Sequence, residues 1–173
     1  MNHASEAGVR SALVLSAAVV VLSSLAAAAP DAGARGSAMK GTASVHAEGS
    51  FDVKIAPQAD DAGTGLGRMS LQKTWHGDVE ATSRGEMLTA MGADKGSGAY
   101  VAVERVTGKV GVRRGSFSLV HRGVMANGRQ ELSITVVPGS GTEELQGLEG
   151  TVTIRIEPGG KHFYELSGTL PGK

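Results

Sequence analysis

From residue 44 onward, apolar and polar side chains alternate with a period of two, which is the signature of strands with one face turned to a core. Residues 50–55 set Phe51, Val53 and Ile55 against Ser50, Asp52 and Lys54. Met69, Leu71 and Trp75 share a face in 69–75, and Phe117, Leu119, His121 and Met125 share one in 117–125. The same alternation runs through Leu132, Ile134 and Val136, through Val152, Ile154 and Ile156, and through His162, Tyr164, Leu166 and Leu170. Stretches 79–91 and 99–112 are also compatible with strands. Turn residues separate these runs. Asn127-Gly128 supplies the two positive φ angles of a type I′ hairpin. Pro158-Gly159-Gly160, Lys95-Gly96-Ser97-Gly98 and Arg113-Arg114-Gly115 divide the other runs. Only 140–148 has a helical look: Ser140 and Glu143 have capping-box spacing, and Gly147 ends the segment after about one turn.

The pattern predicts an all-β fold of about eight antiparallel strands, either a sandwich or a closed barrel. Glycines inside strands (Gly85, Gly108, Gly123, Gly150 and Gly168) favour the barrel, because they permit sharp bends in a small wall.

The N-terminus follows a different rule. Residues 12–29 form an apolar run preceded by Arg10 and closed by alanines, the pattern of a secretory signal. Cleavage after Ala28 satisfies the small-residue rule. The rival reading is a retained membrane anchor, since the run is just long enough to span a bilayer. The domain plan is a signal peptide over 1–28, a flexible linker over 29–43 and a β-barrel over 44–173. Either reading of the leader puts the barrel outside the cytoplasm, secreted or periplasmic, with no membrane contact once the leader is removed.

Composition narrows the chemistry. The 173 residues include 17 basic and 17 acidic side chains, 26 glycines and no cysteine. Disulfide scaffolds, thiol catalysis and cysteine-based metal centres are excluded. A neutral chain with scattered charge lacks the footprint of a nucleic-acid binder. The glycines of 63–67 precede a strand rather than a helix, so they do not form a phosphate cradle. His76-x-Asp78 with His121 or His162 has the order of a two-histidine, one-carboxylate site, but Gly77 places the pair across a turn and no metal is expected. No cofactor is expected either. Serine-nucleophile motifs are absent, and Ser140 suits a capping role better than attack.

Several stretches taken together resemble the bacterial domain of unknown function 3224 family. They are GRMSLQKTWHGDVEATSRGEML (67–88), GAYVAVERVTGKVGVRRGSFSLVHRG (98–123), VVPGSGTEELQGLEGTVTI (136–154) and HFYELSGTLP (162–171). The resemblance spans about 44–171 and implies a small antiparallel barrel, allene oxide cyclase-like or calycin-like. It implies no activity, and the leader departs from members that look cytoplasmic.

Six residues are pocket candidates: Trp75, Glu86, Tyr100, Glu104, His121 and Tyr164. Trp75 suits a barrel plug or a stacking wall, and the tyrosines suit a core edge or pocket rim. His121 lies on an apolar face, as a register-fixing core histidine or as a pocket donor or base. Glu104 shares a face with Tyr100 and Ala102, whereas Val101 and Val103 occupy the other, so the alternation leaves the inward face of that strand open. Glu86 shares a face with Glu80 and Leu88. The expectation is a module binding a small apolar ligand in the lumen. The alternatives are a cyclase- or isomerase-like enzyme using a lumen carboxylate or histidine, and a filled barrel that acts through its surface or as a homo-oligomer.

Overall fold

A computed structural model describes residues 41–172. The leader and the linker up to residue 40 lie outside the described residues. Eight strands follow in order: β1 (Thr42–Gln58), β2 (Gly67–Gly77), β3 (Val79–Met91), β4 (Gly98–Val110), β5 (Arg113–Ala126), β6 (Arg129–Val136), β7 (Glu149–Ile156) and β8 (His162–Pro171). Each pairs antiparallel with its sequence neighbour, and β8 returns to β1, so the sheet closes into an up-and-down barrel. β1 opens at Thr42, two residues before the start expected from the sequence.

The turn chemistry follows the sequence at Asn127-Gly128, where both φ angles are positive (52° and 73°). It departs from the sequence between β4 and β5. There the two-residue turn is Gly111-Val112, and Arg113–Gly115 already belong to β5. The segment expected to be helical holds only a 3₁₀ turn, Glu143–Leu145. Ser140 does not cap it: its Oγ accepts the Ser118 N–H at 3.0 Å, and no side-chain bond caps the turn. Residues 137–142 are held along β5 instead, through Val137 N–H to Ser118 O and Thr142 N–H to Ser116 O, and the Arg105 guanidinium of neighbouring β4 donates to Ser140 O. This detour draws the chain away from β7, and β6 and β7 pair only through Thr135 opposite Thr151.

The two halves of the lumen differ. Towards the β2–β3 and β4–β5 turns the interior is solid. Leu145 and Leu148 from the 3₁₀ segment plug it against Val79, Val106, Phe117, Leu119, Leu166 and Leu170, all buried. Such close-packed burial supplies the main stabilisation of the barrel. At the other end, towards the β3–β4 and β5–β6 turns, apolar residues at inward positions are exposed. They include Ile55, Met91, Leu132 and Ile156.

Candidate functional site

Three inward positions at mid-barrel carry charge or a titratable ring, an arrangement that costs free energy unless the groups satisfy one another. They do. Lys73 Nζ donates to Glu104 Oε1 at 2.6 Å, His121 Nε2 lies 2.9 Å from the same oxygen, and Ser83 Oγ donates to Glu104 Oε2 at 2.6 Å. Ser83 in turn accepts the Trp75 indole N–H at 3.1 Å. The side chains of Lys73 and His121 are each 6% exposed and that of Glu104 is fully buried. Neighbouring strands place them: β2 brings Lys73 and Trp75, β3 Ser83, β4 Glu104 and β5 His121.

Local sequence makes room for this layer. Gly85 stands opposite Glu104, and a Cβ there would come within 2.2 Å of Val103 O and 2.7 Å of Glu104 Cβ. Gly123 stands opposite Tyr100, and its missing side chain is replaced by the Tyr100 ring, 2.1 Å from where a Cβ would be. The phenol is therefore laid across the wall beside His121.

Burial works against the Glu104 carboxylate, but the His121 N–H, the Lys73 charge and N–H, and the Ser83 hydroxyl outweigh it. Together they bring Glu104 down to about 2. Burial also pushes the Lys73 ammonium down, opposed by the charge of Glu104. A carboxylate held so low, with its oxygens occupied, is an anchor and a poor general base near neutral pH. Since ionised Glu104 can only accept, His121 Nε2 must carry the hydrogen, which leaves Nδ1 over. Nδ1 has no partner among the described residues. Among those residues no buried side-chain nitrogen or oxygen is orphaned, so Nδ1 is reachable from the adjoining space.

That space is a cavity of about 320 Å³ in the open half of the lumen. Its walls are largely apolar (Phe51, Leu71, Met87, Met125 and Ile154 among them), and Lys73, Tyr100 and His121 join them. Gln130 and Leu132 of β6 and Ile154 and Ile156 of β7 flank it where those two strands part. A larger groove of about 630 Å³ on the outer wall is lined by Glu48, Asp78, Arg155 and Glu165. Its lining mixes polar and apolar groups, Phe163 and Tyr164 included, and none of the buried polar layer reaches it.

The candidates from the sequence separate accordingly. Tyr100 and His121 line the cavity, and burial pushes the Tyr100 phenol up. Glu104 points inward but stays behind Lys73 and His121. Trp75 is buried against Phe51 and Tyr164, with ring centroids 5.2 and 4.9 Å away. Tyr164 takes no part in the cavity: its oxygen accepts the Val79 N–H at 2.8 Å, and its hydroxyl donates to the carbonyls of Glu48 and His76, each at 3.2 Å. It ties β1, β2 and β8 together near the β2–β3 turn. Glu86 is a correction. Odd positions of β3 face inward, so Glu86 lies on the outer wall and pairs with Arg68 at 2.8 Å. His76 and Asp78 are likewise outside: the first meets Asp52 and the second accepts the Glu48 N–H. Lys73 and Ser83 escape the sequence reading. Alternation marks Lys73, between Leu71 and Trp75, as inward, and that is the available signal.

The family model described as "Protein of unknown function (DUF3224)" matches residues 47–167, which hold every strand-borne member of this layer. A solved structure, a protein with unknown function from the DUF3224 family of Shewanella oneidensis MR-1, is 49% identical. It covers 76% of this chain and all of its own length, with a TM-score of 0.68. No curated protein matches. On the family match and the structural neighbour together, the chain belongs to the DUF3224 family.

Proposed function

We propose that this protein is an exported binding module that holds a small, mainly apolar ligand in the open half of its barrel. The observation that carries this reading is the 320 Å³ cavity: apolar walls over a polar floor are the usual make-up of a small-molecule site. Its size is at the lower end of such sites, roughly 300–1,000 Å³. The parting of β6 and β7 supplies a way in. The secretory pattern at the N-terminus supports export, with cleavage after Ala28.

A cyclase- or isomerase-like activity is the second reading. It is favoured by His121 Nδ1, a ring nitrogen at the floor for which no described residue supplies a partner. The closed eight-strand barrel also fits an allene oxide cyclase-like architecture, an analogy of fold alone. The filled-barrel reading keeps only the solid half of the lumen.

Native mass spectrometry of the protein taken from its own exported pool, followed by solvent extraction, tests the first reading. The expected result is a mature mass beginning at Ala29 plus a small apolar compound near one per chain. An apo mass that stays unchanged when a neutral alcohol such as nonanol is added would overturn it.

A further inference from the structure

The polar floor has a sidedness that bears on the chemistry of the ligand. Lys73, Glu104 and His121 form one cluster, yet only Lys73 and His121 line the cavity, together with Tyr100. Glu104 is turned away, fully buried, and already accepts from three donors. Viewed from the cavity, the ion pair therefore shows its positive end.

Donors are in surplus there. An ammonium has three N–H groups, and Lys73 gives one to Glu104. Its other contacts are the faces of Phe51 and Trp75, 4.8 and 5.2 Å from the ring centroids. The Tyr100 hydroxyl makes no hydrogen bond with the described residues. His121 Nδ1 donates or accepts according to its proton. A carboxylate at the floor would take up the free N–H groups of Lys73 and the Tyr100 hydroxyl. Among the described residues that line the cavity, none is a carboxylate able to serve that purpose.

We propose that the lumen ligand is a small apolar molecule ending in a carboxylate, with its chain against Phe51, Leu71, Met87 and Met125 and its head on the Lys73 ammonium and the Tyr100 hydroxyl. This rests on the lumen-binding reading above. Burial of Lys73 with a single carboxylate partner supports it, because a second anion would offset the desolvation of the ammonium.

The test compares three probes of one chain length, nonanoate, nonanol and nonylammonium, by calorimetry and by the fluorescence of Trp75, the single tryptophan. Nonanoate is expected to bind about ten-fold or more tightly than nonanol, as a charge-assisted bond allows. Nonylammonium is expected to bind most weakly. Lys73→Met removes the cation and leaves Glu104 unbalanced beside the floor, so it should abolish the preference for the acid over the alcohol. Tyr100→Phe removes one oxygen from a ring that keeps its place on Gly123, and it should weaken the acid by about three-fold or more. Should Lys73→Met fail to fold, Tyr100→Phe and the three-probe contrast decide the matter. Equal binding of acid and alcohol overturns the carboxylate head and leaves the lumen reading intact. Binding of none of the three overturns both.

Discussion

Lys73 shows what one residue adds to this barrel. Lysine is among the residues least often buried, so a lysine between Leu71 and Trp75 is easily passed over, although the alternation points it inward. Glu104 poses the opposite difficulty. Its strand is apolar on both faces, and Val101 and Val103 face outward, 52% and 56% exposed. Only closure of the sheet settles which face is the core. The pair is best tested together. Lys73→Met strands the buried carboxylate and is expected to cost about 3–5 kcal/mol, whereas adding Glu104→Gln should recover part of that loss. Denaturant midpoints of the two single variants and the double variant give the coupling directly. The same carboxylate predicts acid sensitivity. Glu104 holds its proton more weakly when folded (about 2) than at its ordinary 4.5, so its contribution is complete above about pH 4.5 and is lost as pH falls through about 2. The span amounts to about 3 kcal/mol. Urea titrations across that range should show the loss in the native protein and a flatter profile in Glu104→Gln.

At the scale of elements, period-two alternation marks six of the eight strands, β3 and β4 read only as strand-compatible, and Asn127-Gly128 marks its hairpin, because these signals are local. The segment 137–148 is less legible. Capping-box spacing at Ser140 and Glu143 suggests a helix, but Ser140 spends its oxygen on the Ser118 N–H and the segment follows β5. A bond to a strand distant in sequence leaves no local trace. Ser140→Ala is expected to cost about 1 kcal/mol, the worth of one backbone bond, with no change in ligand binding. Gly123→Ala is the contrasting case. Its methyl would enter the Tyr100 ring, so it should cost roughly 1–3 kcal/mol and also disturb binding as the phenol is displaced. Thermal unfolding together with probe titration separates the two.

For the whole molecule, fold and family are both legible, since matching stretches lie along most of the strands and the family match covers 47–167. The cavity is not. Its lining comes from residues as far apart as Phe51 and His162, brought together only when β8 closes on β1. Nor does alternation reveal that one half of the lumen is plugged by Leu145 and Leu148 while the other stays open. Three methionines, Met87, Met91 and Met125, line the open half, and Met69 on β2 lies outside that lining. Methyl-labelled methionine NMR during titration with nonanol therefore tests the central claim most directly. The open-lumen account predicts saturable shifts at Met87, Met91 and Met125, with Met69 much less affected. Saturable binding that leaves those three methyls unmoved, or no binding at all, would contradict it.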